Sequence, residues 1–406
     1  MGTIQMKTPL VELDGDEMTR VLWAEIKDRL LAPYINLKTE YYDLSLQNRD
    51  ASADAVTTEA ALAIRRLGVG VKCATITANS ERQREYNLQA LHPSPNATIR
   101  ALLDGTVFRA PIAAPGIPAA VASWKKPIVI GRHAYGDVYK AAELYAASGN
   151  VVELCCTDAA GNEQRVPVAV MRGGGVVMAM HNLDDSIRNF ARCCFRFALA
   201  QKLPVWFSAK DTISKIYDGR FKSIFADVYE TEFKTQCETA GISYFYTLID
   251  DAVSRIMHSD GGILWACKNY DGDVMSDMVA SASGSLAMMT SVLVSPDGAF
   301  EYEAAHGTIR RHYYRYRAGE KCSSNPVALL FAWTGALAKR GELDGLPELG
   351  AFAASLERAA LDTIAAGFLT ADLARIAPAA GRPPVDSWTF LDEIKHRLEW
   401  GRGAPA

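Results

Sequence analysis

Apolar residues recur along this chain in two alternating rhythms. Pro9–Leu13 forms an apolar run that stops at Asp14-Gly15-Asp16, a turn signal. Beyond it Met18, Val21, Leu22, Ile26 and Leu30 fall at helical spacing, so residues 7–35 read as strand, turn, helix. Residues 38–76 repeat the theme, with a strand around Tyr41–Leu44, a helix around Thr57–Leu67 and an apolar strand Val69–Ile76. Strands alternating with helices predict an α/β architecture with a partly parallel sheet.

Residues 150–183 break this rhythm. Two β-like runs, Val151–Cys156 and Arg165–Met171, flank Gly161-Asn162, a hairpin signal. The segment reads as a small inserted β element rather than a further βαβ unit. Helical periodicity returns at 184–202 and 218–240, and the chain is Ala- and Leu-rich and mostly helical from about Asn325. The tail Gly401–Ala406 is expected to fray. No repeat, low-complexity stretch or long linker marks a domain boundary.

Composition adds bounds rather than chemistry. At roughly 150 residues per domain, 406 residues suggest two or three domains. The net charge of −4 argues against a main role on nucleic acid or an anionic membrane, so any basic site must be local. Eight cysteines include the adjacent pairs Cys155-Cys156 and Cys193-Cys194 but no C-x-x-C, which fits reduced, buried thiols rather than zinc. The start MGTIQMKTPLVEL lacks the marks of a signal or transit peptide, and no apolar run is long enough to span a bilayer. Together these features predict a soluble, cytoplasmic protein.

Several segments could carry chemistry. Asp273 and Asp277 stand four residues apart, and on a helix such a pair shares a face and can hold one hard cation, Mg²⁺ or Mn²⁺. A solvated acidic face is the plainer alternative. Asp250 and Asp251 follow an apolar run and could equally begin a helix. Arg100, Arg109 and Arg132 sit near one another in sequence, two of them just after apolar runs where ligand loops of open sheets lie. Singly each reads as a surface ion-pair partner; three together suit a substrate with several carboxylates.

The run Glu303-Ala-Ala-His306-Gly-Thr-Ile-Arg310-Arg-His-Tyr-Tyr-Arg315-Tyr-Arg317 is the strongest basic cluster. Gly307-Thr308 allows backbone approach to a phosphate, and Arg311 and His312 could grip an extra one, such as the 2′-phosphate of NADP. Stacking of single-stranded nucleic acid and a plain solvated helix start are rival readings. Gly173-Gly-Gly175 lacks the surroundings of a phosphate loop, and G-x-G-x-x-G is absent throughout. Tyr139 and Lys210 are ordinary by spacing, although a Tyr and a Lys held together can trade protons.

Longer words decide between these alternatives. Gly15-Asp-Glu-Met-Thr-Arg20, Val71-Lys-Cys-Ala-Thr-Ile-Thr77, Ser94-Pro-Asn96, Gly131-Arg-His-Ala-Tyr-Gly-Asp137, Tyr217-Asp-Gly-Arg-Phe221, Trp265-Ala-Cys-Lys-Asn-Tyr-Asp-Gly-Asp273, Ala304-Ala-His-Gly-Thr308 and Gly367-Phe-Leu-Thr370 occur in order along the chain. In these the chain closely resembles the eukaryotic-type, dimeric NADP-dependent isocitrate dehydrogenases. The resemblance implies an isocitrate/isopropylmalate dehydrogenase-like α/β fold, not a Rossmann fold. It places residues 1–103 and 284–406 in a large domain, 104–136 and 184–283 in a small one, and 137–183 in a β clasp joining two subunits.

The same resemblance implies roles. Thr77, Ser94, Asn96, Arg100, Arg109 and Arg132 would hold isocitrate; Asp273, Asp277 and the partner subunit's Asp250 would hold the metal. Tyr139 and the partner subunit's Lys210, with Thr212 beside it, would be the acid–base pair. Thr77, Arg82, His258, His306, Gly307, Thr308, Arg311, His312 and Asn325 would meet NADP, with Asp372 near its adenine. Four places depart from the family. Ala78-Asn-Ser80 replaces a Pro and acidic run, and residues 281–283 lack a bulkier aromatic. His258 replaces a Lys and Arg310 a Thr, which shifts charge near the cofactor phosphate; a histidine's charge fades above about pH 6.5, and NADP affinity would weaken with it. A 3-isopropylmalate substrate is disfavoured by the polar Ser94.

Overall fold

The computed structural model describes residues 3–377 and 382–403. Fourteen strands matter for the site. They are β1 (Leu10–Asp14), β2 (Thr39–Asp43), β3 (Val69–Lys72), β4 (Thr106–Pro111), β5 (Val129–His133), β6 (Ala142–Ala146), β7 (Val151–Thr157), β8 (Glu163–Val170), β9 (Gly175–Ala179), β10 (Val205–Ala209), β11 (Tyr244–Leu248), β12 (Leu264–Cys267), β13 (Met289–Val294) and β14 (Phe300–Ala304).

Ten of these form one sheet in the order β11-β10-β12-β5-β4-β13-β14-β3-β1-β2. Both flanks are parallel, as the strand–helix alternation predicts. The centre, β5-β4-β13-β14, is antiparallel throughout. A sheet reversed in its middle is not doubly wound, which agrees with the missing dinucleotide fingerprint.

Each half of the sheet is covered on both faces. Beside β1, β3 and β14 lies a core containing Trp23, Trp333 and the C-terminal helices; the opposite face packs the helices Ala55–Leu67 and Pro95–Leu103. Around β5, β10 and β12, one face packs the helices Asp184–Gln201 and Tyr217–Val228, the other the helices Ile249–Met257 and Asn269–Ala282. Side chains alternate along the central strands. Arg109, Ser291 and Glu303 form a cross-strand row on one face, and Phe108, Val292 and Tyr302 form the matching row on the other.

The segment after Val69 differs from its expected extent. The strand ends at Lys72, not Ile76. Asp16 explains the difference, because its carboxylate accepts from the amides of Leu46 and Ile76, both at 2.8 Å, and turns the chain out of the sheet. Gly15 permits the approach, since a Cβ there would stand 2.1 Å from the Ala74 carbonyl oxygen. The hairpin at Gly161 forms as read, pairing β7 with β8, while β6 pairs with β9. These four strands project apolar side chains into solvent, with Val176 86% and Tyr145 72% exposed. The last helix runs Ser387–Gly403; residues 404–406 of the expected frayed tail lie outside the described residues. No helix among the described residues is long and apolar enough to cross a membrane.

Candidate active site

The site grows from the front of the central strands. Arg109 stands on β4 and Arg132 near the end of β5; both are buried, not the surface residues that each suggested singly. Against them lies the helix Asn269–Ala282, which carries Asp273 and Asp277 one turn apart on the face towards Arg109. The Arg109 guanidinium lies 3.7 Å from Asp273 and 3.6 Å from Asp277, and donates to Ser276 Oγ at 2.8 Å. Arg132 Nε donates to Asn269 Oδ1 at 2.9 Å, and its Nη1 pairs with Asp273. Arg100 reaches Glu303 at 2.9 Å. The Tyr139 hydroxyl donates to Asp273, and the Arg132 guanidinium sits 4.8 Å over the Tyr139 ring.

Gly272 makes this contact possible. A Cβ on it would stand 2.7 Å from Arg132 Cβ and 3.1 Å from Arg132 Cα. Gly272→Ala is therefore expected to push the helix off β5, costing about 1–3 kcal/mol by overpacking and misplacing Arg132. Thermal unfolding and substrate KM read the two effects; an unchanged melting temperature and KM would show that the approach is not needed.

The electrostatics favour an anion among these arginines. Burial and the neighbouring Arg100 charge both pull Arg109 and Arg132 below the usual arginine range, with Asp273 opposing. Burial works against Asp273 ionising, yet Arg132, the Tyr139 hydroxyl, Arg109 and Arg100 together hold its carboxyl below the usual carboxylate range. Burial, reinforced by the hydrogen bond to Asp273, pushes Tyr139 up, so its hydroxyl keeps a proton at neutral pH. Deeper in, burial and the Glu303 charge push Glu301 up, while Lys72, Arg100 and Arg109 overcome burial to keep Glu303 ionised. Ser94 begins the helix Pro95–Leu103 without capping it, and Asn96 Oδ1 is buried without a hydrogen-bond partner. Thr77 lies exposed on the loop after β3.

A second group stands by itself. Lys210 pairs with Asp250 at 2.5 Å, and Asp250 is in the first turn of the helix Ile249–Met257, with Asp251 tied to Arg255 at 2.6 Å. His258 closes that helix and is exposed. Among the described residues no hydrogen bond or ion pair joins Lys210, Asp250 or His258 to the Tyr139–Asp273 group or to the residues after His306. Among the described residues no three His, Cys, Asp or Glu side chains are placed to hold a metal ion. Asp273 and Asp277 nevertheless fit as two of a hard cation's donors, since they are carboxylates whose side chains are 39% and 60% exposed.

The remaining residues gather at the other end of the front face. Glu17 joins two of them, pairing with Arg82 at 2.7 Å and accepting from the Thr308 hydroxyl. Asn325 donates to Asp372 at 3.0 Å, and His312 meets Ser324 at 2.7 Å. His306 is held neutral by burial, and its Nε2 has no hydrogen-bond partner. Gly307 is exposed, with nothing within 4 Å of where a Cβ would stand, and Arg311 is exposed with no ion pair among the described residues. An uncommitted cation beside open backbone fits a phosphate-bearing cofactor, while the neutral His306, whose Nδ1–H donates to the Gly307 carbonyl oxygen, offers Nε2 as an acceptor to a hydroxyl. Arg310 does not face this opening freely, because Glu81 and Glu85 hold it at 3.0 and 3.1 Å.

Asn269, Ser276, Glu303 and Glu17 hold these side chains and were not singled out from sequence. For Glu301 and Glu303 the signal was present, as acids at alternate positions between aromatic and small residues in a strand.

The chain matches the family described as isocitrate/isopropylmalate dehydrogenase over residues 5–388. It is 50% identical over 399 residues to isocitrate dehydrogenase [NADP] 1 of Mycobacterium tuberculosis, covering 98% of this chain and 97% of that one. It is 49% identical over 402 residues to the mitochondrial isocitrate dehydrogenase [NADP] of Saccharomyces cerevisiae, covering 98% and 94%. The peroxisomal isocitrate dehydrogenase [NADP] of Candida tropicalis is 47% identical over 410 residues, with 99% and 100% covered. With its reversed central sheet, its converging arginines and a match of this length, the chain belongs to the isocitrate/isopropylmalate dehydrogenase family.

Proposed function

We propose that this protein is an NADP-dependent isocitrate dehydrogenase, oxidising isocitrate to 2-oxoglutarate and CO₂ with Mg²⁺ or Mn²⁺. The observation that carries the reading is the convergence of Arg100, Arg109 and Arg132 behind the Asp273–Asp277 pair. The buried Arg109 and Arg132 and the partly buried Arg100 carry like charges that a tricarboxylate stabilises, and their planar forks fix its orientation. Thr77, Ser94 and Asn96 complete the substrate's surroundings.

Asp273 and Asp277 would hold the cation, which supplies Lewis-acid stabilisation of charge on the substrate's oxygens, and NADP accepts the hydride. Tyr139 keeps its proton on the phenolic oxygen until C3 of the decarboxylated product needs it. Asn269 and Ser276 keep Arg132 and Arg109 in register with the carboxylates. Arg82, His306, Gly307, Thr308, Arg311, His312 and Asn325 would take NADP, with Asp372 near the adenine.

The protein works as a homodimer with shared sites. The partner subunit's Lys210 completes the acid–base pair with Tyr139, and the partner subunit's Asp250 completes the metal ligands. Their separation from Tyr139 and Asp273 within one chain supports this. The exposed apolar β6–β9 strands support a clasp over 137–183, between a large domain (1–103 and 284–406) and a small one (104–136 and 184–283). His258 shares a helix with Asp250 and would reach the cofactor from the same direction. Eight unpaired thiols suit a reducing compartment, and the cytoplasm is proposed, although relatives carry mitochondrial and peroxisomal names.

Isocitrate with NADP should give metal-dependent growth of reduced-cofactor absorbance, with NAD and 3-isopropylmalate far behind. No signal with either cation, or a faster reaction with 3-isopropylmalate, would overturn the reading. Arg311→Ser should lower kcat/KM for NADP by about tenfold or more through loss of a charge-assisted phosphate contact, leaving kcat/KM for NAD nearly unchanged. Equal losses with both cofactors would place Arg311 away from the 2′-phosphate.

A further inference from the structure

The strands that present Arg109, Ser291 and Glu303 to the front present Phe108, Val292 and Tyr302 to the back. Behind them lies a groove of about 300 Å³, within the range of small-molecule sites. One wall is the helix Asp184–Gln201, whose Phe197 stacks on Phe108 with ring centroids 4.1 Å apart. The other wall is the helix Val327–Asp344, from which Lys339 sits 4.6 Å over the Phe300 ring. The two helices belong to different buried clusters, so the groove bridges both halves of the molecule.

Its chemistry is one-sided. The lining is largely apolar and carries two cations, Arg196 and Lys339, with no acidic side chain. Lys339 is partly engaged by Glu342 at 2.6 Å, whereas Arg196 is exposed and makes no hydrogen bond or ion pair among the described residues. The active-site reading uses none of these residues.

We infer that this back groove binds a small amphipathic monoanion, its apolar body between Phe197 and Tyr302 and its acid group on Arg196. Such an occupant spans both helices directly behind Arg109. It holds the two halves at one separation, and so modulates turnover without entering the front cleft.

Laurate, a medium-chain carboxylate, tests this by titration calorimetry on the full-length protein below the micelle concentration. Expected is one site per chain, with dodecanol much weaker. Arg196→Glu should weaken laurate at least about tenfold by turning attraction into repulsion, and Ala200→Trp should fill the groove and remove the heat. Saturating isocitrate and Mg²⁺ should shift laurate's affinity through the coupled halves but not abolish its binding, as direct competition would. No binding to the unmodified protein, unchanged binding in Arg196→Glu, or complete displacement by isocitrate would each overturn the proposal. Arg196→Glu decides alone if Ala200→Trp does not fold. The binding readout is independent of catalysis, so its failure leaves the isocitrate dehydrogenase reading untouched.

Discussion

Asp273→Asn is expected to lower kcat/KM for isocitrate by about a thousandfold, equivalent to roughly 4 kcal/mol of transition-state stabilisation. One carboxylate here meets Arg132, Arg109 and the Tyr139 hydroxyl, and it is one of the two donors proposed above to hold the cation. The amide keeps the shape but not the charge. It offers one accepting oxygen instead of two, weakens the hold on a cation and leaves Arg132 and Arg109 more poorly compensated. Because volume is conserved and the residue is partly exposed, the fold should survive, with a melting temperature within a few degrees of the unmodified protein. Raised Mg²⁺ should recover only part of the rate, since the lost contacts to Tyr139 and Arg132 do not depend on cation concentration. A kcat/KM within tenfold of the unmodified enzyme would remove Asp273 from the reaction.

The second large effect is complementation between two dead variants. Tyr139→Ala and Lys210→Met should each be nearly inactive alone. Refolded together from denaturant, they should regain about a quarter of the native activity, because random pairing puts half the chains in mixed dimers with one intact site each. The geometry behind this is the distance in function between two groups of one chain. Tyr139 is engaged by Asp273 and Arg132, whereas Lys210 is engaged by Asp250 on a different helix. If each chain used its own Tyr139 and Lys210, mixing would restore nothing. Size-exclusion chromatography of the mixture separates failed catalysis from failed assembly.

Much of the scaffold was legible in sequence because its signals are local. The Gly161-Asn162 hairpin and the helix Asp184–Gln201 both rest on contacts within a few residues. The site's supports were not legible, for the opposite reason. Arg132 meets Asn269 across 137 positions, and Arg100 meets Glu303 across 203. No periodicity records such pairings. Val69–Ile76 reads as one strand, because the force that ends it at Lys72 comes from Asp16, 60 residues before Ile76. The family resemblance carried the assignment of roles where spacing alone left an acidic face, surface arginines and an ordinary Tyr and Lys.

The pairing of β3 with β14 has a consequence for how the protein is made. Val69 lies beside Phe300 in the ladder, so the N-terminal parallel strands stay open on that edge until residues 300–304 have been synthesised. Loop closure over so long a stretch is slow, and the waiting edge is apolar and prone to pair wrongly. Folding of this half therefore follows synthesis rather than accompanying it. The middle of the chain, from β4 to β12, has its own buried core and can condense first, and the termini then close around it like the last step of a clasped ring.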